Sequence, residues 1–183
     1  LIPNVRFLKF NDEKDLSKIN SKTAAVVLET IQGGAGFIQP KNNYLNKVQT
    51  RCNDVGALLI LDEIQPGFGR TGTLFGFENY NCTPDVIVVG KGLGGGMPIG
   101  AFSTSQSIMD CLSDQPKLGH ITTFGGHPVI AAAALATLKE ILNSKLMQEA
   151  LKKESYIRRK LNHPLISEIR GKGLMLCAIT NSA

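Results

Sequence analysis

The 183-residue sequence has no tryptophan, and aromatic residues make up only 6% of it. Its four cysteines, Cys52, Cys82, Cys111 and Cys177, form no C-x-x-C pair and share no regular spacing. That pattern argues against a disulfide framework or a cysteine-built zinc site and makes free thiols in a reducing, cytoplasmic compartment the expectation, with no metal ligands assigned. No apolar run approaches the ~20 residues of a membrane-crossing helix, so no membrane partner is expected. A strong charge of one sign is also missing: 20 basic and 15 acidic residues leave a net +5. The densest basic cluster, Lys152-Lys153 with Arg158-Arg159-Lys160, reads as the solvated face of one helix and not as a nucleic-acid surface. What is present is ordinary for a folded domain, with 43% hydrophobic and 19% charged residues, enough to build a core and too apolar for a disordered chain. The sequence opens without methionine on Leu1-Ile2-Pro3 and stops just after the apolar run Leu174–Ile179, so it is expected to be part of a longer protein.

Glycine, by contrast, is abundant, and it clusters where chemistry is expected. Ala24–Leu28, Leu58–Leu61 and Val86–Val89 are short aliphatic runs of buried-strand type. Each ends at polar or charged residues: Glu29-Thr30, Asp62-Glu63 and Gly90-Lys91. Between the first two, Pro40 and the near-helical spacing of Tyr44, Leu45 and Val48 predict a helix over Asn42–Asn53, closed by Gly56. Strand, helix and strand in that order make a parallel crossover unit. Ile99–Ser103 reads as a further strand and Ser105–Ser113 as a helix, with a loop over Asp114–Gly119. Pro128 opens an alanine-rich helix over Val129–Leu142, whose small side chains on every face suit close packing. Lys145–Leu161 is a second helix, and Ile166–Arg170 and Leu174–Ile179 are two strands joined at Gly171-Lys172-Gly173. The last part separates from the glycine-rich core, which predicts a smaller second domain from about residue 144. In open α/β sheets, sites gather at the carboxyl ends of the strands, so a carboxylate and a lysine at two such ends are the constellation to explain.

Lys91 sits in GKGLGGG. A phosphate-binding loop needs lysine after the glycines with a hydroxyl next to it, and here Gly92 follows. The two other readings are a surface lysine in a flexible turn and an amine that forms a Schiff base, with neighbouring glycines admitting a planar cofactor. Asp62 follows four aliphatic residues, so its carboxylate is read either as a strand-end cap or as a buried acid in need of a partner. A protonated pyridine nitrogen is such a partner. Gln65, three residues on, could then reach an oxygen on the same ring.

The stretches LILDEIQPGFGRTGTLFGFE, PDVIVVGKGLGGGMPIGA, HITTFGGHPVIAAAALATLK, VVLETIQGGAGFIQP and IRGKGLML together resemble the class III aminotransferases of the ornithine and acetylornithine type, pyridoxal 5'-phosphate enzymes of fold type I. The resemblance implies a three-layer α/β large domain with a mostly parallel sheet, here its central part over 1–143, and the start of a small α+β domain over 144–183. It implies that Lys91 holds the cofactor through a Schiff base and then moves the proton, that Asp62 pairs with the ring nitrogen, that Gln65 bonds the ring oxygen and that Ile64 packs against the ring face. Thr123 would contact the cofactor phosphate of a neighbouring subunit, making the partners a second copy in a homodimer with shared sites, an amino donor and a 2-oxo acid. Glu29 would lie beside the substrate. Arg70 reads as structural through an ion pair with a carboxylate such as Glu78, and Arg170 as a structural arginine.

The implied reaction carries an amino group from an ornithine-like or omega-amino donor to 2-oxoglutarate. Relatives acting on 4-aminobutyrate or lysine, aminomutases or racemases, and an inactive module that keeps the fold are the alternatives. The sequence departs from the family pattern at Thr30, often proline; at Gly34, where ornithine-type members carry glutamate; and at His127, usually asparagine. His120 and His163 read as surface or loop residues. The family's phosphate-binding turn, ring-stacking aromatic and substrate arginine have no counterpart in this stretch, so the chain alone is expected to bind cofactor poorly.

Overall fold

The computed structural model describes residues 3–113, 117 and 119–181. The aliphatic runs form β1 (Ala25–Glu29), β2 (Leu58–Asp62) and β3 (Val86–Gly90), and β4 (Gly100–Thr104) follows the glycine-rich turn. They pair in sequence order in one sheet, the first three parallel and β4 antiparallel to β3. The connection from β3 to β4 is too short to return a strand in the parallel sense, and an antiparallel neighbour needs no crossover. Glu29 lies opposite Asp62, and Asp62 opposite Val88, so the three parallel strands finish at one edge.

The crossover helix α1 (Tyr44–Val55) begins two residues later than its sequence pattern suggests. Asn42 and Asn43 adopt left-handed backbone, φ 51° and 58°, which asparagine tolerates better than most residues. Pro40 therefore lies in the approach to the helix and not in its first turn. At the other end Gly56, φ 74°, lets its N–H reach the carbonyls of Cys52 and Asn53, a left-handed helix stop. Tyr44, Leu45, Val48 and Cys52 pack on Val26, Leu59 and Leu61, and this is the main core.

The region after β4 holds α2 (Gln106–Asp110), α3 (Pro128–Asn143) and α4 (Leu146–Lys160). The helix expected over 105–113 is thus short, and most of the loop expected at 114–119 lies outside the described residues. The alanine run of α3 is buried only at Ala134, with Ala131 and Ala132 exposed, so close packing is confined to one face. That face meets the lysine turn: a side chain on Gly95 would come within 2.2 Å of Thr137 Oγ1, and its φ is 57°. Glycine is required there on both counts.

A separate antiparallel pair, β5 (Ile166–Lys172) and β6 (Met175–Thr180), closes the chain. It is fastened to the loops of the first sheet. Arg170 donates from Nε to the Gly36 carbonyl at 2.5 Å and from Nη2 to that of Ala35 at 2.9 Å. Gln39 Nε2 donates to the Gly171 carbonyl at 3.0 Å, and Leu174 N–H to the Arg70 carbonyl at 2.9 Å. Arg158, from the basic cluster of α4, is spent internally on Glu154 and the carbonyls of Ile169 and Gly171. Among the described residues no helix is long and apolar enough to cross a membrane.

Candidate functional site

Parallel pairing brings three polar strand ends side by side. Glu29 ends β1, Asp62 ends β2, and Lys91 follows Gly90 at the end of β3. Each carboxylate is held by a backbone amide just downstream. Glu29 Oε2 accepts from Gly33 N–H at 2.8 Å, and Asp62 Oδ1 from Ile64 N–H at 2.9 Å. Gly33 also lies under Gln65, whose Oε1 would be 2.5 Å from a side chain at that position. Gly33 thus links the first strand end to the amide on the second.

Lys91 is exposed and has φ 43°. A left-handed lysine is uncommon and costs on the order of 1 kcal/mol or more. It opens a 3-10 turn, Lys91–Gly94, between an extended Gly90 and the left-handed Gly95. Gly90 in turn lies against Ile64, with a hypothetical side-chain carbon 3.6 Å from Cγ2. A cavity of about 310 Å³ opens here, lined by Ile64, Gln65, Phe68, Arg70 and Lys91 from the first sheet's loops and by Phe37, Leu174 and Met175. Ile64, Gln65 and Lys91 therefore share one cavity. Glu29 and Asp62 sit at the strand ends beside it and do not line it. Thr123 lies in the exposed stretch 121–129 that leads into α3 and is likewise not on the cavity wall.

Two expectations change. The buried carboxylate at the end of β2 is Glu63, fully enclosed, while Asp62 is half-buried. The strand alternation explains it: Leu59, Leu61 and Glu63 share the face that packs on the core, and Asp62 points to the other. Glu63 is fully supplied with donors. It accepts from the Thr30 hydroxyl, from Gly76 N–H at 2.6 Å and from Phe77 N–H at 3.1 Å. Burial nonetheless pushes its carboxyl above the ordinary value, with the nearby Asp62 adding to the effect. Arg70 is the second change. None of the four ion pairs among the described residues involves it, and it faces the cavity instead of pairing with Glu78. Arg170 acts as the structural clamp the sequence suggested. His120 finds a neighbour in Phe102, ring centroids 5.5 Å apart, and His163 Nδ1 accepts from Leu165 N–H at 3.2 Å.

An α/β sheet that gathers carboxylates, an amide and a left-handed lysine at one edge, beside a cavity walled partly by a second small sheet, belongs to the class of α/β proteins with a cleft at the carboxyl ends of the strands, where such sheets take their ligands. The particular family follows from comparison with known proteins. A family profile described as aminotransferase class-III matches residues 6–183, and the chain belongs to that family. It is 43% identical over 182 residues to an acetylornithine aminotransferase of Oceanobacillus iheyensis, covering 96% of this chain and 45% of that protein. It is 41% identical to a putrescine aminotransferase of Pectobacterium atrosepticum, covering 96% and 40%. The fold matches an ornithine aminotransferase of Toxoplasma gondii with a TM-score of 0.86 at 34% identity, covering 94% of this chain and 42% of that one. That structure is described as having partial occupancy of PLP at its active site. The chain spans less than half the length of these relatives.

Proposed function

We propose that this chain is the central part of a pyridoxal-phosphate-dependent aminotransferase, with residues 1–143 forming the middle of the cofactor-binding domain and 144–183 the beginning of a smaller one. The observation that carries this reading is Lys91 held in left-handed backbone at a strand end, in one cavity with Gln65 and Ile64 and beside Asp62. The residues fit the cofactor chemically. An amine can bond an aldehyde, a half-buried carboxylate can face a cationic ring nitrogen, an amide can donate to a ring oxygen, and side-chain-free Gly92 on the cavity wall leaves room for a planar group. Bound pyridoxal phosphate supplies an electron-withdrawing ring that stabilises negative charge developing on a substrate carbon.

The chain's own residues supply the rest. Lys91 would hold the cofactor through its amine, and its Nζ would carry the proton taken from the substrate carbon. Asp62, oriented by the Ile64 amide, keeps positive charge on the ring nitrogen. Gln65, which lies over Gly33, would donate to a ring oxygen, and Ile64 would offer an apolar surface. Glu29 stands at the neighbouring strand end, where a substrate's polar end would arrive. Thr123 serves the phosphate of a second copy in a homodimer. The exposure of Ile121 at 67% and Phe124 at 76% around it supports a covering partner.

The amino donor is ornithine-like or a terminal amine, in keeping with the names of the relatives, and the acceptor is 2-oxoglutarate. The test is a panel of acetylornithine, ornithine, putrescine, lysine and 4-aminobutyrate given to the full polypeptide with and without 2-oxoglutarate. Glutamate formed from one or more donors only when the acceptor is present supports the reading. An isomerised donor formed without acceptor points to an aminomutase or racemase, and no conversion of any donor by cofactor-loaded polypeptide contradicts transfer.

A further inference from the structure

The two residues that the reaction does not use, Thr30 and Glu63, are both fully buried and lie directly behind two that it does, Glu29 and Asp62. The β1–β2 ladder ends at the pair Glu29–Asp62. Among the described residues no register pair of the two strands follows it, which leaves Thr30 and Glu63 outside the ladder. The Thr30 hydroxyl joins the two by donating to Glu63 Oε1. Glu63 is in turn tied on both other sides: its N–H donates to the Val88 carbonyl of β3 at 2.8 Å, and its carboxylate takes Gly76 and Phe77 N–H from the loop that carries Phe68 and Arg70. Gly76 must lack a side chain for this, since one would lie 3.2 Å from Glu63 Oε2 and 2.7 Å from Pro66. One residue, through its carboxylate and its own N–H, therefore gathers β1, β2, β3 and the cavity loop.

We infer that the Thr30–Glu63 pair is a positioning device that sets the spacing of Glu29 and Asp62 at the site edge. Its functional meaning rests on the aminotransferase reading, but the spacing itself does not. Proline at position 30, frequent in the resembling family, offers no hydroxyl, so this chain makes the connection by its own means. Glu63 faces three donors and is best matched by a group with acceptors on both oxygens. A glutamine there would turn an N–H₂ toward one of those donors.

Two amides report the device without any cofactor: Gly33 N–H, held by Glu29, and Ile64 N–H, held by Asp62. Residue-resolved hydrogen exchange of the full polypeptide is compared for wild type, Thr30→Val, Thr30→Ser and Glu63→Gln. Leu58 and Leu59 N–H, bonded to the Ala24 carbonyl and to Asp85 Oδ2 at the opposite end of the strands, serve as internal reference. The expected result is exchange at Gly33 and Ile64 faster by about tenfold in Thr30→Val and Glu63→Gln, with Leu58 and Leu59 unchanged and Thr30→Ser restoring protection. Equal acceleration at both ends of the strands, or none at Gly33 and Ile64, overturns the inference. Reductive trapping of pyridoxal phosphate on Lys91, measured on the same samples, fails or succeeds separately and judges only the aminotransferase reading.

Discussion

Asp62 and Glu63 are neighbours in sequence with opposite surroundings, and the difference is one of strand parity. The position of Asp62 and Lys91 at strand ends was legible because each closely follows a short aliphatic run. The burial of Glu63 was equally available from the alternation of Leu59 and Leu61, but an acid in a DE pair draws attention to the first carboxylate. Its hydroxyl partner Thr30 was not legible, because a 33-residue separation leaves no local signal. The raised carboxyl of Glu63 has a direct consequence for stability. A native value above the ordinary 4.5 means that the native state binds the proton more tightly than the unfolded chain. The stability this contributes is complete below the unfolded value and is lost as pH rises through the native one. Urea midpoints should therefore fall across that window in wild type, and the fall should be missing in Glu63→Gln. That variant should also be less stable by about 1–3 kcal/mol at neutral pH, through the donors it leaves unmatched. Thiols give a second check at this scale. Burial pushes both Cys52 and Cys82 up to about 11, whereas Cys111 is exposed. A disulfide-exchange reagent should label Cys111 in the native protein and reach Cys52 and Cys82 only after unfolding.

At the scale of elements, composition and period located every strand, while the ends of helices followed backbone detail that period does not encode. Two left-handed asparagines delayed α1, and only the exposed flank of the alanine run in α3 departed from the close packing its composition suggests. The antiparallel sense of β4 came from the length of the lysine turn, not from its residues. The α1–β2 contact is the main source of core, so its disruption should register globally. Leu45, 1% exposed and in the first turn of α1, is a clean probe: Leu45→Ala should cost about 2–5 kcal/mol in urea unfolding. The strand-end arrangement should survive in the folded fraction, with Lys91 as reactive toward an aldehyde as in wild type.

For the whole molecule, directed bonds join the small sheet to the loops of the large one. Arg170 clamps the loop that contains Gly33, and Leu174 hangs on the Arg70 carbonyl, so the small sheet touches both walls of the cavity. The proposed division near residue 144 therefore runs through the site. The large sheet also exposes an apolar side chain on its first strand, where Val27 is 67% exposed in mid-strand. We propose that these features converge on the Lys91 amine. Pyridoxal phosphate is added to the full polypeptide, borohydride fixes any bonded cofactor, and the labelled peptide is mapped, with Lys91→Ala alongside. Label is expected to concentrate on Lys91 and to vanish with the substitution. Label spread evenly over the surface lysines, and unchanged in Lys91→Ala, rules out Lys91 as the cofactor-binding amine.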